Sequence, residues 1–488
     1  MTLKPVVTFG LLFVGGSASA QAPADIVNRL RPPVRLADRP DTAFKLVDRM
    51  HYYHVPGLSI AVVDNFRIVY AAGFGVTEFG GSTAVDTNTL FLAGSISKPV
   101  FTTGVLQLVE QGKLSLDSDI NTTLKSWKLP ESRFTQTEKV TLRRLLTHSA
   151  GLTVWGFPGY QMGTPIPTVP QVLDSAGPTN TPPVRSDTFP GARWRYSGGG
   201  ITIAQLMATD VTGETFPALM KRLVLDKAGM RHSTYENPLP ASRDHEAASG
   251  HEQFDTPVPG RYHVYPEMAA AGLWTTAPDL ARWALALTRA YRGEPKAVLS
   301  PAMAGQMISP LVKVAANGTD YWGLGVQVAG QGDSIAFSHD GRDEGFVASV
   351  IMWPRLGRGL FVLTNGVSGA LLNEISRAFA DMYGLGADPR PLKRVVAMDS
   401  AALAAYAGRY ELARARDTLR YEVSATPNQL RMWDPVLKRN RYLLPAGGDD
   451  FLDFDIGNSV SFQRDEGQVS ALLLGQGNSR RTLRRVGK

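Results

Sequence analysis

The pattern of apolar and polar positions predicts alternating strands and helices near the start of the chain. Two runs, Leu58–Val63 and Ile68–Phe74, have strand composition and flank turn residues, which predicts an antiparallel hairpin. Helical periodicity is present over 41–50 and over 95–112, and the second segment stops at a glycine. The sequence therefore places Ser95 at the N-terminus of a helix.

Further strand-like runs continue this sheet before a helix predicted over 371–383. They are Tyr321–Val328, Ile335–His339, Phe346–Trp353 and Leu360–Thr364. Between residues 154 and 190, eight prolines argue against long regular elements. We expect this irregular segment to form a wall over the functional site, because long irregular stretches in compact domains are usually functional or disordered.

Beyond residue 400 the pattern changes to short strands separated by turns. The runs are 408–412, 419–423, 429–432, 441–444, 451–454, 460–463, 470–474 and 481–485. Eight such strands are enough to close a small antiparallel barrel. A proline-rich stretch over 387–391 precedes them, which predicts a linker over 387–400 and a separate all-β domain over 401–488.

Composition predicts a globular protein, and the N-terminal residues predict export. The chain is 43% apolar and 19% charged, which is ordinary globular composition. Lys4, an apolar run and small residues ending at Ala20 predict a signal peptide over 1–20, because the apolar run is too short to span a bilayer. The domain that precedes the linker would then cover 21–386, with no transmembrane segment, in the periplasm or outside the cell.

Charge and residue counts exclude several other functions. A formal charge of +7 is small for 488 residues, so we expect no nucleic-acid partner. There is no cysteine, which excludes disulfides, thiol nucleophiles and thiolate metal sites. The eight histidines form no recognised zinc motif. We therefore expect no metal and no cofactor, and the sequence leaves the oligomeric state open.

Three short motifs carry candidate chemistry. Ser95 and Lys98 are three residues apart at a predicted helix start, so a lysine of lowered pKa can reach the serine hydroxyl and activate it. Tyr196-Ser197-Gly198 presents a tyrosine beside glycines, which suits a phenolate base. His339-Asp340-Gly341 ends a predicted strand, where Gly341 lets substrate approach the strand edge. Each motif alone also has an ordinary structural explanation.

In this order, the three motifs resemble those of the serine β-lactamase and penicillin-binding-protein superfamily. The branch with class C β-lactamases, D-aminopeptidases and β-lactamase-fold esterases is most similar, because 145–152 (LLTHSAGL) and 271–280 (AGLWTTAPDL) also match its segments. The resemblance implies an α+β fold, with an antiparallel sheet flanked by helices and an all-helical subdomain. The C-terminal stretch is similar to the lipocalin-like barrels of D-aminopeptidase relatives.

The resemblance also implies roles for single residues. Ser95 is the expected nucleophile, Lys98 and Tyr196 remove its proton, and the backbone N–H groups of Ser95 and Arg342 hold the oxyanion. His339, Gly341, Ser197 and the Arg342 cation are expected to contact or orient the substrate.

Two departures from the family pattern bear on the substrate. Gly198 replaces the usual asparagine that holds a substrate amide, and His339 replaces the usual lysine with a group only partly charged near pH 7. We therefore expect small esters or D-amino-acid-type amides and peptides as substrates. The alternatives are a class C-like β-lactamase and a penicillin-binding or cell-wall-binding protein with little turnover.

Overall fold

The computed structural model describes residues 23–316, 318–385, 390–414, 417–475 and 480–487, without the side chain of Phe254. The predicted signal peptide over 1–20 lies outside the described residues, as does the start of the predicted linker. Over the ranges described, no helix combines the length and apolarity that crossing a membrane requires.

An eight-stranded sheet forms the centre of the first part of the chain. Its strands are β1 (Gly57–Asp64), β2 (Arg67–Gly75), β3 (Val312–Lys313), β4 (Tyr321–Trp322), β5 (Gln327–Ala329), β6 (Ala336–Asp343), β7 (Phe346–Trp353) and β8 (Arg358–Thr364). Their spatial order is β2-β1-β8-β7-β6-β5-β4-β3, and all neighbours are antiparallel. The predicted hairpin is confirmed. The predicted strand over 321–328 is instead two strands, because a turn in which Gly323 N–H donates to the Val326 carbonyl separates them.

Helices cover this sheet and form a second, largely helical region. They are α1 (Leu46–Tyr53), α2 (Ser97–Glu110), α3 (Ile120–Thr123), α4 (Leu142–Leu146), α5 (Val169–Asp174), α6 (Gly198–Thr212), α7 (Phe216–Met220), α8 (Asp226–Ala228), α9 (Met268–Ala271), α10 (Ala277–Tyr291), α11 (Pro301–Met307), α12 (Gly369–Tyr383) and α13 (Ser400–Ala404). A π-helical turn, Lys221–Leu225, joins α7 to α8. The mixed α+β fold is confirmed.

Two predicted helices start later in the structure than in the sequence pattern. α1 begins at Leu46 rather than residue 41 and extends to Tyr53. α2 begins at Ser97, because Gly94 has φ +52° and opens a 3-10 turn, Gly94–Ile96, that carries Ser95. The nucleophile candidate therefore lies in the turn that leads into α2, whose own residues are almost all buried.

The end of the chain is a closed antiparallel barrel. Its strands are β9 (Gly408–Ala413), β10 (Thr418–Thr426), β11 (Gln429–Asp434), β12 (Arg439–Gly447), β13 (Asp450–Asp453), β14 (Ser459–Asp465), β15 (Gln468–Leu474) and β16 (Arg481–Gly487). Each strand pairs with its chain neighbours, and β9 with β16 closes the barrel. Side chains such as Tyr410, Leu430 and Phe451 fill the interior as one apolar cluster. The eight-stranded barrel is confirmed.

A buried ionic cluster joins the barrel to the first part of the chain. We call it the junction cluster, and it consists of Arg49, Tyr53, Glu374 and Asp455. The guanidinium of Arg49 donates to both oxygens of Glu374 at 2.8 and 2.6 Å and to Asp455 at 3.2 Å. The hydroxyl of Tyr53 donates to Glu374 at 2.7 Å. These contacts tie α1 and α12 to the loop after β13.

Candidate active site

The Ser95 hydroxyl and the Lys98 amine are in direct contact. Lys98 Nζ lies 2.7 Å from Ser95 Oγ and donates a second hydrogen bond of 2.7 Å to the Ala270 carbonyl. Ala270 belongs to α9, so the lysine is held from two sides. The three-residue spacing thus brings the two side chains together as the sequence predicts.

Burial changes the protonation of this lysine. Lys98 is completely enclosed, and the loss of hydration lowers its pKa to about 7, against the opposite effect of the nearby Asp343 carboxyl. A lysine with this pKa is substantially neutral at physiological pH. Its lone pair can therefore accept the proton of the Ser95 hydroxyl that it contacts.

Tyr196 lies beside this pair within a cluster of aromatic rings. Its ring centroid is 5.1 Å from Lys98 Nζ and 4.2 Å from the His148 ring, and its phenol is close enough to Ser95 for that residue to affect its pKa. Trp155 and Trp322 also contact the ring, with centroids 5.5 and 5.8 Å away. Burial raises the pKa of the Tyr196 phenol, which argues against the expected phenolate base. A neutral phenol at this position can still relay a proton.

His339 is brought to the same site but is not a cation there. Burial and the neighbouring Lys98 lower the pKa of its imidazole to about 3, so it is neutral at pH 7, contrary to the expected partial charge. Its Nδ1–H donates to the Asp340 carbonyl at 2.6 Å, a tautomer that leaves Nε2 as an acceptor. Nε2 has no hydrogen-bond partner among the described residues.

Two glycines let the strand β6 contact the turn that carries Ser95. A Cβ atom on Gly341 would lie 2.0 Å from the Ala93 carbonyl oxygen, and one on Gly94 would lie 2.5 Å from the backbone nitrogen of Arg342. The need for glycine at 341 therefore comes from packing against the Ser95 turn rather than from room for substrate. This contact also places the Arg342 nitrogen beside the residue that precedes Ser95.

Arg342 and Ser197 differ in their relation to the cavity. The Arg342 side chain is exposed and lines the cavity, as expected of a group that meets substrate. Ser197 is not part of the lining. Its hydroxyl donates to the Thr153 carbonyl at 2.8 Å and accepts from Gly200 N–H at 3.0 Å, so it caps α6 instead of contacting substrate.

The candidate residues border a cavity of about 720 Å³. The start of the proline-rich segment forms one wall, where the Trp155 ring is 71% exposed. A Cβ on Gly198 would lie 3.1 Å from both the Phe157 ring and the Trp155 carbonyl oxygen. A side chain at 198 would therefore begin in tight contact with an aromatic wall, Trp155-Gly156-Phe157.

Sequence reasoning missed two buried carboxyl groups: Asp343, which interacts with Lys98, and Glu267, which interacts with Asp343. Burial raises the pKa of Asp343 well above its usual range. It raises that of Glu267 to about 8, so the Glu267 carboxyl is largely protonated near pH 7. No oxygen of either carboxyl has a hydrogen-bond partner in the described chain. Asp343 is only four residues after His339, and the burial of alternate residues along β6 is the signal that would have found it.

The two accessory segments form the scaffold of the site. Residues 145–152 contain His148, which packs against Tyr196 and accepts a hydrogen bond of 3.2 Å from Ser197 N–H. Residues 271–280 contain the strand Trp274–Thr275, which pairs with Phe91–Leu92 just before the Ser95 turn. Both segments therefore position the candidate residues without reacting themselves.

The sequence of this chain is similar to those of known proteins. The family model described as Beta-lactamase matches residues 45–380. Penicillin-binding protein 4 of Amycolatopsis lactamdurans is 25% identical over 359 residues, which are 70% of this chain and 91% of that protein. The chain spans about half the length of several further curated relatives that it matches.

Solved structures share the fold. The octameric penicillin-binding protein homologue from Pyrococcus abyssi superposes with a TM-score of 0.59 at 21% identity, covering 91% of this chain and 97% of that one. D-alanine carboxypeptidase AmpC from Burkholderia cenocepacia gives a TM-score of 0.55 at 21% identity, covering 70% and 96%.

Proposed function

The chain belongs to the Beta-lactamase family, and from this premise we propose that it is an exported serine hydrolase that works through an acyl-enzyme on Ser95. The observation that carries the proposal is the 2.7 Å contact between Ser95 Oγ and the Lys98 amine, whose pKa burial lowers to about 7. Residues 21–386 form the hydrolytic domain and 401–488 the barrel domain of this proposal.

Acylation begins with proton transfer from Ser95 to Lys98. Ser95 Oγ bonds to the substrate carbonyl carbon while Lys98 Nζ takes the hydroxyl proton, and the backbone N–H groups of Ser95 and Arg342 stabilise the oxyanion. The Lys98 ammonium then returns this proton through the Tyr196 phenol to the leaving oxygen or nitrogen as its bond to carbon breaks. The Ala270 carbonyl stabilises the ammonium in the interval.

Deacylation uses the same groups in reverse. Neutral Lys98 takes a proton from water through Tyr196, and the hydroxide bonds to the acyl carbon. The bond from Ser95 Oγ to the acyl carbon then breaks, and the Lys98 ammonium returns its proton to Ser95 Oγ. Neutral His339, with its free Nε2 acceptor, orients a donor group of the substrate.

The shape of the cavity supports esters and small D-amino-acid amides as substrates. The aromatic wall packs against Gly198, which replaces the asparagine that would hold a substrate amide, and its rings favour an apolar substituent on the acyl group. A neutral His339 also leaves Arg342, rather than position 339, as the cavity-lining cation that could bind a substrate carboxylate. Both features disfavour β-lactams.

The second candidate is a penicillin-binding protein that acylates and then stalls. The similarity to penicillin-binding protein 4 over 91% of that protein favours it. The two candidates differ in the lifetime of the acyl-enzyme.

Intact mass spectrometry tests both candidates. We expect a fluorophosphonate to label the wild type once and Ser95→Ala not at all, while p-nitrophenyl esters and D-amino-acid p-nitroanilides give adducts that disappear with turnover. We expect Ser95→Ala to lose about 10⁴-fold or more in kcat/KM. Full activity of Ser95→Ala would refute the mechanism, and a persistent penicillin adduct would favour the binding protein.

A further inference from the structure

Two glutamates lie side by side at one end of the cavity. Glu252 and Glu344 both line it, and the Glu344 carboxyl is close enough to Glu252 to raise its pKa. Within the described chain, neither carboxyl forms an ion pair with a lysine, arginine or histidine. We call these two residues the carboxyl pair.

Backbone contact holds the carboxyl pair together. His251 N–H donates to the Gly345 carbonyl at 3.1 Å, and a Cβ atom on Gly345 would lie only 2.6 Å from Gly250 Cα. Only glycines at these two positions permit the approach. The Glu344 N–H also donates to the Tyr265 hydroxyl at 3.1 Å, which fixes the turn after β6.

Two adjacent carboxylates repel each other unless something positive lies between them. Near pH 7 a proton does so about half of the time, because the neighbouring Glu344 carboxyl, and then burial, raise the pKa of Glu252 to about 7. The titratable groups that interact with the pair are His263, Tyr265 and the buried Asp343, and Arg342 lies in β6, two residues before Glu344. A ligand cation can replace the shared proton without any change in the fold.

A buried, unpartnered carboxyl points to a ligand independently. Asp343 is only 5% exposed and lines the same cavity, and neither of its oxygens has a hydrogen-bond partner among the described residues. Buried polar groups in folded proteins are normally paired. A ligand with several N–H donors in this end of the cavity would satisfy it.

We propose that Glu252 and Glu344 form a subsite for an ammonium group on the acyl part of the substrate, with Asp343 as a further acceptor. The inference rests on the proposed hydrolase function and names its substrate class as acyl compounds with a free amine. An alkylammonium has three N–H donors and no acceptor, which matches a set of carboxyl oxygens.

The aromatic wall complements this subsite. The Pro158 carbonyl, next to Phe157, accepts a hydrogen bond of 2.8 Å from His263 Nδ1, and His263 is close enough to Glu252 to affect its protonation. The wall and the carboxyl pair therefore flank the same end of the cavity. Together they fit a substrate that has an apolar substituent and an amine.

Matched esters test the subsite. We would compare p-nitrophenyl esters of glycine, β-alanine and D-alanine with propanoate, butanoate and isobutanoate esters, in which a methyl group replaces the ammonium. We expect the wild type to prefer at least one amine over its isostere by about tenfold or more in kcat/KM, as for a hydrogen bond to a charged group. The double variant Glu252→Gln/Glu344→Gln should reduce this ratio to about one.

The control variant is Glu131→Gln, an exposed glutamate outside the cavity lining, which should leave the ratio unchanged. A wild-type ratio near one for every pair, or a ratio that the double variant does not alter, would overturn the subsite. Activation of neutral-ester hydrolysis by millimolar Ca²⁺ that the double variant abolishes would identify a metal site instead and also overturn it.

Failure of the hydrolase proposal would be visible separately, as absence of turnover on all esters together with an unlabelled Ser95. In that case a binding measurement tests the subsite. A rise in melting temperature with D-alaninamide but not isobutyramide, lost in the double variant, would support the subsite, and equal responses would overturn it.

Discussion

The junction cluster and the groups around Lys98 are both buried and polar, yet they are built in opposite ways. In the junction cluster the Arg49 guanidinium meets two carboxylates, and although burial opposes it, the hydrogen bond and charge of Glu374 raise its pKa. We call the second group the site cluster, and it consists of Lys98, His339, Asp343 and Glu267. In the described chain, His339 Nε2 and the oxygens of both carboxyl groups have no hydrogen-bond partner.

The difference shows how pairing determines protonation. Burial without an ion pair among the described residues shifts each member of the site cluster towards its neutral form, which lowers the pKa of the bases and raises that of the acids. Burial with partners keeps Arg49 charged. The first arrangement suits proton transfer and the second suits attachment of the barrel.

Replacing Lys98 by methionine should have the largest effect and should separate activity from stability. We expect kcat/KM to fall by about 10²–10⁴-fold, because the base is lost. The pKa of Lys98 is lower in the folded chain than in the unfolded one, so the unfolded chain binds an extra proton near pH 7 and the lysine reduces stability there. The free energy of unfolding should therefore rise, by about 1 kcal/mol or more.

Urea denaturation of the wild type and Lys98→Met at pH 7 measures this change. A variant that lost activity and also several kcal/mol of stability would contradict the inference that the buried Lys98 amine serves activity at the expense of stability.

Replacing Arg49 by alanine should show the reverse behaviour. We expect a loss of about 3–5 kcal/mol in the free energy of unfolding, because Glu374 is left buried and unpaired. The matched control is Arg222→Ala, which removes a surface ion pair with Glu214 and should cost less than about 1 kcal/mol. Equal losses in the two variants would show that pairing at the junction contributes no more than a surface contact.

The pH profile of the wild type provides the finest comparison. With neutral esters, kcat/KM should rise about tenfold per pH unit up to about pH 7 and then level off, because only the neutral Lys98 amine accepts the Ser95 proton. His339→Gln should keep this limb, since His339 is already neutral. Glu252→Gln should keep it as well, and a limb that disappears in this variant would assign the titration to the carboxyl pair.

Periodicity predicted the fold well where burial alternates regularly. The eight barrel strands are short, evenly spaced and separated by turns, and all eight are confirmed. The predicted bounds of helices and strands were wrong where a single glycine or turn changes the course of the backbone. Gly94, at φ +52°, delays the start of α2, and the turn at Gly323 divides a strand that the composition joins.

The candidate residues could be found because their motifs follow one another in a recognisable order, but their protonation could not. The motifs and the ordinary pKa values of the side chains predicted a phenolate at Tyr196 and a partly charged imidazole at His339. Burial opposes both charged forms. The carboxyl pair had no local signal, because a contact between Gly250 and Gly345 brings together segments far apart in the chain.

The packing of Gly94 against Arg342 and of Gly341 against Ala93 has a consequence for directed evolution. A side chain at either glycine would collide with backbone, which cannot rearrange as a flexible side chain does. Libraries intended to change substrate preference should therefore leave Gly94 and Gly341 fixed and vary the wall at 155–157. The catalytic turn and its strand would then be inherited as one unit, while specificity is free to diverge beside it.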